Sequence, residues 1–256
     1  MNAVVLLERA GPVTTATLNR PEKRNALSTD LLEGLLAALA ASEADASQRI
    51  LVIRGAGPVF CSGLDLGEAG RADFAHRSAG LVRRTLEAVA TTRLVTIAAV
   101  HGAAVAGGAG LMNACDFAIA TRDAKFGYPE LRRGLVPAII MTFLRRQVRE
   151  RDARELLLLG KMFSGEHALA IGLVNRLVAD EAALAAEVQM LVSSLLQGAP
   201  AALAETKKLL RELWPSPVAA DLDRAEALHL AARNSAEAKE GIAAFNEKRP
   251  PNWAPR

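Results

Sequence analysis

Two glycine-bearing turns carry most of the chemical information in this sequence. They are Pro58–Leu66 and His101–Gly110, and each follows a short apolar run, Ile50–Ile53 and Val95–Val100 respectively. Both runs are typical of buried parallel strands, so each turn presents free backbone N–H groups at the end of a strand. Two such groups that converge on one point form an oxyanion hole, which stabilises negative charge on a carbonyl oxygen.

The elements around these turns alternate between strands and helices in the first half of the chain. Val4–Glu8 and Val13–Asn19 predict a hairpin around Gly11, and Ser28, Thr29 or Asp30 is expected to cap a helix that runs to about Ala44. A helix near 78–91 and a strand at 117–120 follow. Strand, turn, helix and strand at these intervals predict parallel crossover units in an α/β fold.

After about residue 138 the strand patterns end, and Leu and Ala recur at helical spacing. The predicted helices are Arg151–Leu159, Ser164–Ile171, Glu181–Leu196, Ala199–Leu213 and Ala219–Ala232. Breaks are expected at Trp214–Pro217 and from Pro250 onward. We predict one unit over 1–196, which includes the start of the helical region, and a C-terminal helical unit over 197–256.

Seven stretches in one order give a specific resemblance to the enoyl-CoA hydratase/isomerase (crotonase) superfamily. Besides the two turns they are Leu18–Leu27, Cys115-Asp116, Phe126–Glu130, Gly172–Asn175 and Ala238–Pro250. The resemblance implies a crotonase-like spiral of β-β-α repeats with a C-terminal helical trimerisation region. The competing interpretation of that region is a helical cap on the same monomer. The glycines alone would also permit tight turns without function.

The resemblance implies a mechanism in which the N–H groups of Leu64 and Gly107 bind a thioester oxygen as it becomes an enolate. Hydratases of the family use two glutamates, and this chain has Gly110 at the first position and Glu130 at the second. One carboxylate can take a proton from one carbon and return it two carbons away. The sequence therefore favours a double-bond isomerase, with a single-glutamate hydratase as the next choice. The alternative for Glu130 is an ordinary surface residue, but its apolar neighbours favour a buried carboxyl with a raised pKa.

Coenzyme A is implied as part of the substrate, and no separate cofactor is expected. Lys23, Arg24 and Ala26 are implied near the nucleotide, and Leu64–Gly67 along the pantetheine arm. The full predicted substrate-binding set is Lys23, Arg24, Ala26, Ser62, Asp65, Leu66, Gly67, Gly110, Phe245 and Lys248. For each basic residue a solvated side chain is equally consistent with the sequence, and Asp65 and Asp116 also suit local backbone hydrogen bonding.

Composition narrows the other possibilities. A net charge of +3 does not indicate a nucleic-acid partner, although seven arginines between 132 and 154 could face a CoA phosphate, a neighbouring subunit or water. Two cysteines, Cys61 and Cys115, are too few for a disulfide framework and predict a reduced, cytoplasmic setting. We interpret Cys61 as a packing residue and the four histidines as structural or surface residues, without metal-ligand spacing.

The first residues predict a strand rather than a signal peptide, and no apolar stretch is long enough for a transmembrane helix. Rossmann and phosphate-loop motifs are missing from the second turn. Two functions compete with an acyl-CoA enzyme: a CoA-thioester-binding protein with little catalysis, and an RNA-binding protein of the same fold. The family expectation for assembly is a homotrimer or a dimer of trimers.

Overall fold

The structure is a computed structural model that describes residues 3–69, 72–213 and 218–252. Its strands are β1 (Val5–Ala10), β2 (Val13–Leu18), β3 (Ile50–Gly55), β4 (Val95–Val100), β5 (Ala103–Val105), β6 (Phe117–Thr121), β7 (Lys125–Gly127), β8 (Met162–Ser164) and β9 (Arg176–Val178). They form one sheet in the order β1-β2-β3-β4-β6-β9 and a second in the order β5-β7-β8.

Parallel pairing dominates the larger sheet, as the crossover pattern predicts. β1 and β2 form the expected antiparallel hairpin, with Val5 opposite Leu18 and Gly11 in the left-handed region at φ +55°. Every other pair in that sheet is parallel. In the smaller sheet β5 and β7 are parallel, and β8 runs antiparallel to β7.

Helices take up most of the remaining described chain. They are α1 (Thr29–Ala44), α2 (Leu66–Ala69), α3 (Ala72–Thr91), α4 (Gly107–Ala114), α5 (Ala138–Gln147), α6 (Glu150–Leu159), α7 (Gly165–Ala170), α8 (Glu181–Leu196), α9 (Pro200–Leu213), α10 (Val218–Arg233) and α11 (Ala236–Asn246). Two 3-10 helices span Pro21–Lys23 and Pro129–Arg133. Ser28 caps α1, accepting a hydrogen bond from the N–H of Leu31.

One expectation about the second half is wrong. Strands do not end near residue 138, because β8 and β9 occur at 162–164 and 176–178. Each has three residues, too few to show a period-two pattern, and each is held by pairing with β7 or β6. Helices α5 and α11 were also not predicted from the sequence.

The larger sheet is covered on both faces. Along β3 the side chains alternate: Leu51 and Ile53 belong to the main core, while Ile50 and Val52 belong to a second cluster that includes Leu184 of α8. Burial on both faces explains why β3 and β4 are continuous apolar runs rather than alternating ones.

The C-terminal helices cover one end of this core. α10 packs against α3 and α5, and α11 packs against the 3-10 helix Pro129–Arg133. The predicted break at 214–217 lies outside the described residues. Within the described chain no single helix meets the length and apolarity needed to span a membrane; α8 and α9 meet them only as a pair, bent by 103°.

Candidate active site

The two glycine turns lie against each other. The N–H of Cys61 donates to the carbonyl of Ala103 (3.1 Å), and the N–H of Val105 donates to the carbonyl of Cys61 (3.0 Å). At their contact Gly63 has φ +93°, and a Cβ there would lie 2.9 Å from the Cβ of Ala106. Glycine is therefore required at 63 for both its conformation and the close approach of the second turn.

The N–H groups of Leu64 and Gly107 are available to a ligand. Leu27 pairs with the residues on either side of Leu64: Gly63 O accepts from Leu27 N (2.8 Å), and Asp65 N donates to Leu27 O (3.1 Å). The N–H of Leu64 itself has no backbone partner among the described residues. Gly107 is the first residue of α4, where helical geometry leaves the N–H free. A Cβ on Gly107 would lie 3.5 Å from Leu64 N, so the two donors are neighbours. Ala106, which precedes Gly107, has a strained backbone conformation with φ 50° and ψ −124°.

Both donors line a cavity of about 460 Å³. Most of the predicted site residues also line it: Lys23, Arg24, Ala26, Ser62, Asp65, Leu66, Gly67, Glu130 and Phe245. Lys248 does not; it follows α11 on an exposed segment with φ +55°. The predicted residues that line the cavity come from four separate stretches of the chain, around 23–26, 62–67, 130 and 245.

Glu130 lies in this cavity on the 3-10 helix Pro129–Arg133. Its Oε2 atom is buried and has no hydrogen-bond partner among the described residues. Burial raises the pKa of Glu130 to about 7, although its own backbone N–H and the charge of Arg133 act in the opposite direction. A carboxyl group with this pKa can both accept and return a proton near neutral pH.

Gly110 requires a correction, because it does not line the cavity. A Cβ at this position would overlap Cγ2 of Ile140 and lie 3.0 Å from its Cβ, with Leu86 Cδ1 at 3.5 Å. Ile140 is itself part of the cavity wall. The sequence predicted Gly110 as part of the substrate-binding set, but a side chain at 110 cannot share the space around Glu130 unless Ile140 moves.

The loop that carries Lys23, Arg24 and Ala26 is fixed by Asn25. This side chain is fully buried; its Nδ2 donates to the carbonyls of Ala56 and Val59 (2.9 Å each), and its Oδ1 accepts from the N–H of Arg20 (2.9 Å). Arg24 and Asn25 are both left-handed, at φ 52° and 53°. The sequence analysis did not single out Asn25, although asparagine is a residue that tolerates this conformation.

Asp65 and Asp116 make the local contacts that the sequence also allowed. Asp65 pairs with Arg20 (3.0 Å) and accepts from the N–H of Gly67, while Asp116 accepts from Thr96 and pairs with Lys207. Cys61 is fully buried, and burial raises its pKa to about 12. A thiol held neutral in this way suits a packing role.

The structure adds lining residues to the predicted site, among them Arg133 and His229 of α10. The sequence offered Arg133 only as one of seven arginines that could face a CoA phosphate, a neighbouring subunit or water; in the structure its guanidinium Cζ lies 4.5 Å from the centre of the Phe245 ring. Burial lowers the pKa of His229. A signal existed for Arg133, because a residue three places after Glu130 returns to the same side of a 3-10 helix. None existed for His229, which arrives from a distant helix.

The other arginines of the 132–154 stretch are mostly paired with carboxylates of this chain. Arg146 pairs with Asp221 (2.8 Å), Arg149 with Asp152 (2.8 Å) and Arg154 with Glu150 (2.7 Å). Among the described residues, no cluster of three or more His, Cys, Asp and Glu side chains is arranged to hold a metal ion. The cavity thus offers two N–H donors and one acid–base carboxyl, which together can stabilise an enolate and move a proton.

Comparison with known proteins agrees with this arrangement. The family model for enoyl-CoA hydratase/isomerase matches residues 8–256. A Thermus thermophilus protein provisionally named enoyl-CoA hydratase is 40% identical over 95% of this chain and 98% of its own length, and the enoyl-CoA hydratase EchA19 of Mycobacterium tuberculosis is 33% identical over 98% and 96%. The crystal structure of an enoyl-CoA hydratase from Mycobacterium avium superposes with a TM-score of 0.87 at 37% identity, over 99% of this chain and all of that one. The chain therefore belongs to the enoyl-CoA hydratase/isomerase family and has its crotonase fold.

Proposed function

We propose that this protein moves a proton on an enoyl-CoA thioester through an oxyanion-stabilised enolate. The N–H groups of Leu64 and Gly107 bind the thioester oxygen, and Glu130 carries the proton. Removal of a proton from C2 of a 3-enoyl thioester gives a dienolate, and return of that proton at C4 gives the 2-enoyl thioester. Donors fixed before the reaction stabilise the enolate more than the ground state, by roughly 3 kcal/mol each.

The observation that carries this proposal is the position of Glu130 in the same cavity as two unused N–H donors. Its pKa of about 7 suits a group that alternates between base and acid. Lys23, Arg24 and the C-terminal Phe245 lie on the same cavity and are proposed to hold coenzyme A, as part of the substrate rather than as a separate cofactor.

Double-bond isomerisation is the reaction we favour, with hydration by a single glutamate second. Hydration needs a positioned water and, in the two-carboxylate scheme, a second acid–base group. Gly110 supplies none, and Ile140 fills the adjacent space with an apolar side chain. The hydratase names of the relatives support the second reaction, so the two must be separated by assay.

Two other functions remain as competitors. A CoA-thioester-binding protein with little catalysis would bind acyl-CoA without turnover. RNA binding receives less support, because most arginines of the 132–154 stretch pair with carboxylates of the chain; it would require RNA affinity that falls steeply with salt. We further propose a cytoplasmic homotrimer or dimer of trimers, acting in fatty acid metabolism.

The test is a panel of 2-enoyl-, 3-enoyl- and 3-hydroxyacyl-CoA thioesters, with products separated by chromatography. We expect interconversion of the 2-enoyl and 3-enoyl forms to exceed water addition. Glu130→Gln keeps the size of the side chain and should lower turnover by about a hundredfold or more, with CoA affinity nearly unchanged. Rapid hydration of crotonyl-CoA by the wild type would contradict the isomerase preference, and thioester binding without any turnover would support the binding protein.

A further inference from the structure

Arg133 is a charged group in the cavity that the proposed proton transfer does not use. Its side chain is half-buried and lines the cavity, and its Nε atom is buried without a hydrogen-bond partner among the described residues. Among the described residues, the charge that acts on it is that of Glu130, which is itself protonated for part of the time at neutral pH. A buried guanidinium donor without a partner is costly, by about 1–3 kcal/mol or more for a charged group, and calls for an explanation.

The cation is held in place rather than left free. Gly134, the next residue, has φ +66°, and a Cβ on Gly241 of α11 would lie 2.8 Å from the Cα of Arg133, so α11 packs directly on this backbone. The ring of Phe245, also from α11, lies under the guanidinium at 4.5 Å. A stacked, half-buried guanidinium has little conformational freedom to lose when it binds a ligand.

Arg133 differs from the other arginines between 132 and 154, because each of those is either paired with a carboxylate or, like Arg132 and Arg151, exposed to solvent. Arg149 and Arg154 have carboxylates within 3 Å on their own helix, and Arg146 has Asp221. Arg133 has no such carboxylate within the described residues, and the cavity wall near it is apolar, including Leu135, Val136 and Pro137. No carboxylate among the described residues neutralises this guanidinium, which leaves it available to an anionic ligand in the cavity.

The position of Arg133 indicates which part of a CoA thioester would supply that anion. It lies three residues after Glu130, close enough for the two charges to influence each other's pKa. The phosphates of coenzyme A are separated from the thioester by the whole length of the pantetheine arm. The guanidinium lies between Phe245, which we propose to hold coenzyme A, and Glu130, one 3-10 turn away on the same cavity. On the side toward Glu130 it is placed to meet the acyl end of the substrate, where the matching anion is a carboxylate that a guanidinium can bind with two parallel hydrogen bonds.

We propose that Arg133 binds a carboxylate carried by the acyl group, so that the preferred substrates are CoA thioesters of dicarboxylic acids. This inference rests on the proposed function, because it takes the cavity to be a CoA-thioester site. It makes Arg133 a specificity-determining residue. A thioester without the second carboxylate leaves the guanidinium donors unpaired, and a site built around a buried polar group discriminates strongly against such an analogue.

A competing role for Arg133 is to tune Glu130 alone. Its charge lowers the pKa of Glu130, so its removal would change catalysis with every substrate. That role predicts an equal loss for dicarboxylic and monocarboxylic thioesters. Recognition predicts a loss of binding confined to the dicarboxylic ones. The two effects can coexist, and binding of thioesters that cannot react isolates recognition from any change in the pKa of Glu130.

The experiment measures binding of saturated thioesters, which cannot react, by titration calorimetry. Pairs of equal carbon number are compared: glutaryl- with pentanoyl-CoA, adipyl- with hexanoyl-CoA, and suberyl- with octanoyl-CoA. We expect the wild type to bind at least one dicarboxylic thioester about tenfold or more tightly than its monocarboxylic partner. Arg133→Gln should abolish that preference, and Arg133→Lys should keep part of it. Arg132→Gln is the matched control, since Arg132 is the exposed neighbour outside the cavity.

The possible outcomes are distinct. No preference in the wild type for any dicarboxylic member, or a preference that survives in Arg133→Gln, would overturn the inference. Failure of the wild type to bind any CoA thioester would instead overturn the proposed function. Thermal melting of each variant checks the fold. If Arg133→Gln does not fold, the preference is measured with Arg133→Lys instead. An undiminished preference in Arg133→Lys would then count against the inference.

Discussion

Burial of Glu130 affects both its strength as a base and the stability of the folded protein. The carboxyl group has a pKa of about 7 in the cavity, against 4.5 for an ordinary glutamate, and desolvation is the main cause. Its ionised form therefore opposes folding, because the charge is better solvated in the unfolded chain. A raised pKa that costs stability is consistent with a catalytic role, since an exposed carboxylate would be too weak a base at neutral pH.

Glu130→Gln should consequently stabilise the protein at high pH. Because the pKa is raised in the folded state, wild-type stability falls as pH rises from about 4.5 to 7, and the variant lacks this loss. We expect the variant to be more stable by roughly 2–3 kcal/mol at pH 8 and nearly equal to the wild type at pH 4. Urea unfolding at both values checks this, with the exposed Glu155→Gln as control. An equal difference at both pH values would contradict the raised pKa.

The pH dependence of activity should report the same group. We expect kcat/KM to rise with pH through a limb near 7, as Glu130 ionises into its base form. Arg133→Gln removes a charge that favours the ionised form, so the limb should move to higher pH. The measurement is kcat/KM against pH for wild type, Arg133→Gln and Arg132→Gln. A limb that stays in place when Arg133 is neutralised would mean that another group titrates.

Gly110 and Ile140 test what separates isomerase from hydratase in this chain. Gly110→Glu alone should destabilise the protein, because its side chain would overlap Ile140. Gly110→Glu with Ile140→Ala provides space, and this double variant should gain water addition to 2-enoyl-CoA relative to isomerisation. Ile140→Ala alone is the control for the enlarged cavity. A folded double variant that binds CoA thioesters without gaining hydration would show that more than one carboxylate is missing.

At the scale of elements, the site depends on loops that other loops hold in place. The segment 20–27 folds on itself through short-range backbone hydrogen bonds, and the side chain of Asn25 connects it to the end of β3 and the first glycine turn. Lys23 and Arg24, which line the cavity, are exposed and therefore depend on this buried anchor for their position.

Asn25→Ala should loosen this loop. It leaves the carbonyls of Ala56 and Val59 and the N–H of Arg20 without their partner, and we expect a loss of roughly 2–4 kcal/mol in unfolding free energy. KM for a CoA thioester should rise more than kcat falls, because Glu130 and the N–H donors lie on other elements. Urea unfolding and steady-state kinetics check both effects, with the exposed Asn234→Ala as control. A fall in kcat with KM unchanged would place Asn25 nearer the chemistry.

At the scale of the whole molecule, we predict that copies of the chain assemble through an exposed apolar groove. It has a volume of about 590 Å³ and lies along α5 and α6, of which α5 also lines the active-site cavity. Its apolar lining consists of Leu131, Val136, Pro137, Met141, Ala153, Leu157 and Leu158. Leu158 is 68% exposed, which is unusual for a large apolar side chain unless another surface covers it.

We expect light scattering to give a mass three or six times 27.1 kDa. Leu158→Asp should shift the protein toward the monomer, because burying an unpaired carboxylate in an apolar interface is unfavourable. Leu7→Asp, on the exposed strand β1, is the control and should leave the mass unchanged. A monomeric wild type would contradict the trimer, and an unchanged mass for Leu158→Asp would exclude this groove as the interface.

The sequence by itself determined the fold class, the crossover strands and the two turns, because these depend on local patterns. Short continuous apolar runs at 50–53 and 95–100 are typical of strands buried on both faces, and Gly63 is required where φ is positive and two backbones touch. Glu130 could be singled out as well, since a motif and apolar neighbours surround it in the sequence. Short strands such as β8 and β9 escaped prediction because three residues carry no periodicity.

Only the tertiary structure decided which side chains share the cavity. His229 comes from α10, and no sequence spacing relates it to the turns, whereas Phe245 of α11 entered the predicted set only through the family resemblance. Gly110 occupies the position at which hydratases of the family have a glutamate, yet its surroundings depend on Ile140, which packs against it from another helix. The missing counter-ion of Arg133 is likewise a property of its three-dimensional neighbours. Local patterns specify backbone conformation, whereas the contents of a cavity depend on contacts between residues far apart in the chain.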